Sequence, residues 1–193
     1  MTDKGMQLGE RARNLRLKKN LSIEQLTERC AISASDLEAI EKSELSPPLG
    51  EIVTLAAALQ VSLGDLFGDE ADSPFCIVRS DKRQSVSRFG AATSGGYSYE
   101  SLGHQKQNRH MEPFLVTLSP DSEPKEPNRH PGEEILFVLE GQVKVRLAEH
   151  TDILNPGDSI YYDSNLPHIV SCHGEHPATL MAVIYTEPRM HIF

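Results

Sequence analysis

The chain has 193 residues, 38% apolar and 24% charged, with three Cys, no Trp and a formal net charge of −9. This is the composition of a globular protein of one or two domains and excludes disordered, collagen-like and disulfide-scaffold classes. The negative balance argues against binding nucleic acid over the whole surface, though not against a local basic face. In chain order, Leu8, Ala12 and Leu15 fall on one helical face, with Lys19 at its end. Ser22-Ile23-Glu24-Gln25, Ser33-Ala34-Ser35-Asp36 and Ser62-Leu63-Gly64-Asp65 each place an acceptor three residues after a serine. That spacing lets the two side chains satisfy each other's orphan backbone donors at a helix start. Pro47-Pro48 marks one further start, because proline is tolerated in a helix's first turn. The pattern predicts helices near 8–19, 23–30, 34–42, 49–59 and 63–66 within a first domain of residues 1–68. Ala31-Ile32-Ser33 joins the second and third so tightly that they make a helix-turn-helix.

Gly68 to Pro74 is acidic and turn-rich, and residues 69–83 read as a linker with the leading strand of a second domain, 84–193. There, runs such as Phe114–Leu118, Glu134–Leu139, Gln142–Leu147, Ser159–Tyr162 and Thr179–Tyr185 alternate with Gly, Pro, Asn and Asp. Many short strands separated by turn signals predict an antiparallel sandwich or barrel. No apolar run approaches the ~18 residues of a membrane span. No hydrophobic segment follows Met1-Thr2-Asp3-Lys4-Gly5, so a secretory signal is not expected. Cys30, Cys76 and Cys172 are far apart, with no CxxC spacing, which fits a reducing cytoplasm.

The chemistry concentrates in the second half. His130 and Glu134 stand four apart around the Pro131-Gly132 turn at a strand entrance, and His168 follows a later turn. Two imidazoles and a carboxylate are a facial-triad set with open positions, suited to Fe(II), Mn, Zn or Ni. Spacing alone leaves open that the three are unrelated strand-end polar residues. A barrel of about eight strands holds one small ligand. Tyr97, Tyr99, Asn128, Phe137 and Tyr161, with Phe114 and Tyr162, are candidates for its lining, and Arg109 and Lys106 for selecting an anion.

From Leu8 to Phe67, through LGERARNLRLKKNLSIEQLTERC, AISASDLEAIEKSELSPPLGEIVTLAAAL and QVSLGDLF, the chain resembles the lambda-repressor-like DNA-binding domains, or XRE family. The resemblance implies a five-helix domain whose third helix enters the major groove. Ser33, Ala34, Ser35 and Glu38 would then meet bases, and Arg11, Arg13, Gln25 and Lys42 phosphates. None of the base-facing positions is Arg, Gln or Asn. Residues 1–69 carry 8 Lys and Arg against 11 Asp and Glu, so any basic face is local. Glu41 matches the family position that pairs with an arginine on the first helix, here Arg16.

His130, Glu134 and Gly141, then Gly157-Asp158 and His168, resemble the two cupin motifs. That implies a double-stranded β-helix barrel and a divalent metal held by His130, Glu134 and His168. Asn128 stands where members often have a further histidine, and Asp163 and Asn165 replace the usual proline and glycine of the second motif. These departures imply three protein ligands rather than four. The full chain resembles XRE–cupin regulators: cytoplasmic homodimers or higher homo-oligomers that bind operator DNA and sense a small effector. It also resembles the hydroxypropylphosphonate epoxidases, non-haem Fe(II) enzymes with the same domain order, which makes an oxidase acting on a small anionic substrate the alternative reading.

Overall fold

The structure, a computed structural model, describes residues 8–30, 32–67, 74–87, 96–106, 109–120 and 126–185. Among these, five helices come first: α1 (Leu8–Lys18), α2 (Ile23–Thr27), α3 (Ala34–Glu41), α4 (Leu49–Ala58) and α5 (Leu63–Phe67). Their starts are where the serines put them. Ser22 Oγ accepts from the Gln25 amide while Gln25 Oε1 accepts from the Ser22 amide, and Ser62 and Asp65 repeat the exchange. Ser33 closes only half of it: its oxygen accepts from the Asp36 amide, but its hydroxyl is donated to the Asp36 carboxylate.

Helix α2 stops at Thr27, three residues short of the predicted end. The amides of Arg29 and Cys30 bond the carbonyls of Leu26 and Thr27, so the last turn tightens to the 3₁₀ pattern. Ala31, in the turn, lies outside the described residues. Leu26, Leu37, Ile40, Ile52, Leu55, Leu59 and Leu66 form the helical core, each at most 1% exposed. Arg16 and Glu41 meet inside it as a two-pronged pair, both contacts 2.7 Å, and Arg16 Nη1 also donates to Leu21 O at 2.9 Å. This pair ties α1 to α3, the structural role the motif implied.

The acidic stretch 68–73 lies outside the described residues. Ser80–Lys82 form a 3₁₀ turn, and the leading strand, β1 (Gln84–Ser87), falls just beyond the predicted 69–83 segment. Then come β2 (Tyr97–Ser101), β3 (Met111–Leu118), β4 (Glu133–Glu140), β5 (Gln142–Leu147), β6 (His150–Leu154), β7 (Ser159–Asp163), β8 (His168–His173) and β9 (Ala178–Tyr185). One sheet runs β1-β2-β3-β9-β4-β7 and the other β6-β5-β8, together making the cupin β-barrel. The chain passes between sheets at Gly141, where φ is +71° and an added Cβ would lie 2.8 Å from Ala178 Cα. Only glycine fits that corner without strain.

The helical part is docked on the barrel. Tyr99 OH donates to Pro47 O at 2.9 Å, Ser46 Oγ donates to Tyr97 O, and the Phe67 ring meets Phe114 edge-on at 5.2 Å. One cluster of buried side chains runs through both parts.

Candidate metal centre

Backbone pairing brings the three metal-ligand candidates together. The Asn128 amide donates to His168 O at 2.8 Å and the His168 amide to Asn128 O at 2.9 Å, so the segment leading to β4 lies along the start of β8. The His130 amide donates to Ser164 O at 3.0 Å, fixing the approach to the Pro131-Gly132 turn. His130, Glu134 and His168 are 2%, 4% and 3% exposed and each offers one ligand atom, all within 4.8 Å of one another.

The outer side of each ligand is already held. His168 Nδ1 lies 2.9 Å from Leu166 O, so that nitrogen carries the proton and Nε2 presents its lone pair inward. Tyr162 OH donates to Glu134 Oε2 at 2.7 Å. His130 Nδ1 is 3.4 Å from Pro131 O. The inner atoms have no such partners. His130 Nε2 and Glu134 Oε1 are 2.7 Å apart, yet neither has a hydrogen bond, and His168 Nε2 is 3.6 Å from the same oxygen. Buried polar atoms that converge without hydrogen-bond partners are costly. A divalent cation relieves that cost, so the donor set fits one.

The local electrostatics agree. Burial pushes the Glu134 carboxyl up, but His130, His168 and Tyr162 outweigh it and hold the group below the ordinary 4.5. Burial lowers the His168 imidazole below the ordinary 6.5, despite the opposing charge of Glu134. Tyr162 is raised well above 10, first by burial and then by Glu134, so it stays a phenol that donates. A carboxylate and a neutral imidazole are the states that ligate metal.

Glu134 and His168 open into a chamber. Tyr97, Tyr99 and Asn128 line it, as the sequence suggested. Phe137 and Tyr161 do not: they are 37% and 63% exposed and face outward. The reason is strand parity, because Glu134, Leu136 and Val138 take the inner face of β4 and Tyr162 that of β7. Tyr161 instead donates to Glu133 on the outer surface. Val116, Leu118, Leu136, Leu180 and Ala182, for which inward alternation on their strands is the signal, complete the wall with Val170, whose strand does not alternate. Pro48, Leu49 and Gly50 also line it, and nothing in the sequence brought them there. Arg109 is committed elsewhere, to Glu112 at 2.6 and 2.8 Å and to Gly103 O at 2.8 Å. Lys106 gives its carbonyl to the same guanidinium and is not part of the chamber lining.

On the helical part, Arg13, Gln25, Ser33, Ala34, Ser35, Glu38 and Lys42 are exposed and Arg11 half-buried. Glu38 and Lys42 pair at 3.1 Å one turn apart, and the Gln25 side chain is used in its cap.

Residues 7–67 match the helix-turn-helix domain family and residues 114–184 the cupin domain family. The chain is 26% identical over 173 residues to the HTH-type transcriptional regulator PuuR of Escherichia coli, covering 89% of this chain and 90% of that one. Among solved structures it is similar to an HTH_3 family transcriptional regulator from Vibrio cholerae, with TM-score 0.64, 22% identity and coverage of 94% and 96%. It is also similar to the Fe(II) form of HppE, with TM-score 0.51, 24% identity and coverage of 92% and 97%.

Proposed function

Starting from a helix-turn-helix domain joined to a cupin domain, we propose that this chain is a DNA-binding transcription regulator whose barrel senses a small molecule beside a divalent metal. The observation that carries the metal is the buried convergence of His130 Nε2 and Glu134 Oε1, without hydrogen-bond partners, beside His168 Nε2. A bound divalent ion supplies a Lewis-acid centre with open positions for donor atoms of a ligand.

On the DNA side, α3 offers Ser33, Ala34, Ser35 and Glu38 on an exposed surface. Small hydroxyl and methyl contacts discriminate bases weakly. Arg11, Arg13, Gln25 and Lys42 would then contribute phosphate contacts, which position the domain without reading sequence. Such a domain needs two copies on two half-sites. Ile135, Phe137 and Leu139, exposed in a row along the outer face of β4, support pairing through the barrel. The oxidase alternative has less support, because among the described residues no Lys or Arg lines the chamber to pair a second negative charge on a substrate.

A gel shift with the full, metal-loaded chain on its own upstream DNA in moderate salt tests the reading. A discrete, competitor-resistant complex is expected; its absence at micromolar protein, together with oxygen uptake by the iron-loaded chain, would favour the enzyme instead.

A further inference from the structure

The helical domain contributes to the chamber wall. The free interior of the chamber allows about 40 Å³ to the centre of a water molecule, room for roughly three waters. Pro48, Leu49 and Gly50, at the start of α4, form one side. Their closeness depends on one absent side chain. A Cβ on Gly50 would lie 2.7 Å from Asn128 Cβ and 2.9 Å from its Cγ. Glycine weakens a helix relative to alanine, so at this point its use is the close approach. Asn128 in turn exchanges both backbone hydrogen bonds with His168. The start of α4 therefore rests on the residue that is paired, atom for atom, with a metal-ligand candidate.

We propose that this chamber is a ligand site shared by the two domains, with Pro48–Gly50 as its lid and Gly50 against Asn128 as the seam. The ligand class is a compact monocarboxylate with an apolar body. The walls are Val116, Leu118, Leu136, Val170, Leu180 and Ala182, and among the described residues the only charged side chain lining the chamber is Glu134. Two neutral imidazoles, one carboxylate and a divalent ion sum to one positive charge, which a single carboxylate balances. A polyamine or a multiply charged anion would leave charges buried without partners. A ligand of more than a few heavy atoms exceeds this free interior and competes for space with the start of α4, which it displaces outward in this proposal. Helix α4 carries the rest of the helical domain with it, so occupancy and docking compete. The ligand class rests on the metal-binding reading above; the seam does not.

The test uses the full chain loaded with Zn(II), hydrogen exchange over residues 45–52, and calorimetric titration with acetate and with benzoate. Acetate is expected to bind without changing exchange at 45–52, and benzoate to accelerate it. Gly50→Ala is expected to raise exchange there with no ligand present and, having opened the lid already, to bind benzoate ~10-fold tighter with acetate unchanged. Gly50→Ala combined with Asn128→Gly restores wild-type exchange, which separates an opened seam from general misfolding. Wild-type exchange in Gly50→Ala, failure of the double variant to restore it, benzoate binding that leaves 45–52 protected, or no benzoate binding would each overturn the proposal. Failure of the regulator reading shows elsewhere, as sub-stoichiometric Zn(II) or unshifted DNA, and leaves the ligand-free comparison intact.

Discussion

Glu51 shows how one position beside the lid carries a charge at a cost. It lies in the first turn of α4, where burial, with Asp36 adding, pushes its carboxyl up to about 7 from the ordinary 4.5. Unfolded, the group ionises near the lower value; folded, it keeps its proton to the higher one. The folded state therefore binds more protons across this window, and stability falls as pH rises through it. Glu51→Gln should leave stability unchanged below pH 4.5 and raise it by about 1–3 kcal/mol above pH 7. Urea unfolding of both proteins across that range checks this, and a constant difference at all pH values would contradict it. The metal-ligand candidates lie at the opposite extreme of legibility. His130, Glu134 and His168 stand out in the sequence because turns and strand entrances fix where they point. Phe137 and Tyr161 were placed on the wrong face because an aromatic's type says it is buried or useful, whereas only strand register says which side it takes.

At the scale of elements, local chemistry was readable and the ends were not. The starts of α2, α3 and α5 follow from serines whose partners are three residues away. The end of α2 depends on how the turn into α3 tightens, which no nearby residue announces. Likewise β6, His150–Leu154, is almost wholly exposed, and its pairing with β5 makes it a strand. The Arg16–Glu41 pair was implied by family position, and its burial gives it energetic weight. Glu41→Gln removes the negative partner and leaves the Arg16 charge buried. Breaking such a pair costs about 3–5 kcal/mol, so the variant should lose that much in urea unfolding while Lys42→Gln, which breaks only the exposed pair with Glu38, loses under about 1 kcal/mol. Equal losses would show that the buried pair is not what joins α1 to α3.

At the scale of the molecule, the change of pattern along the sequence divides it into two parts but does not show their docking. Composition reports a boundary as a change of pattern, and it is silent on whether the parts then touch. The contacts that join them, Tyr99 with Pro47, Phe67 with Phe114 and Gly50 with Asn128, are pairs distant in the chain and individually unremarkable. Their effect is to set the start of α4 over the same chamber into which Glu134 and His168 open. Sensing and DNA presentation would thus share one wall, provided that the barrel holds its ion. Metal content per chain, measured on the purified wild type, Glu134→Gln and His168→Ala after identical loading and dialysis, is the most direct test. The account predicts about one divalent ion on the wild type and far less on each folded variant; full retention by both variants would contradict it.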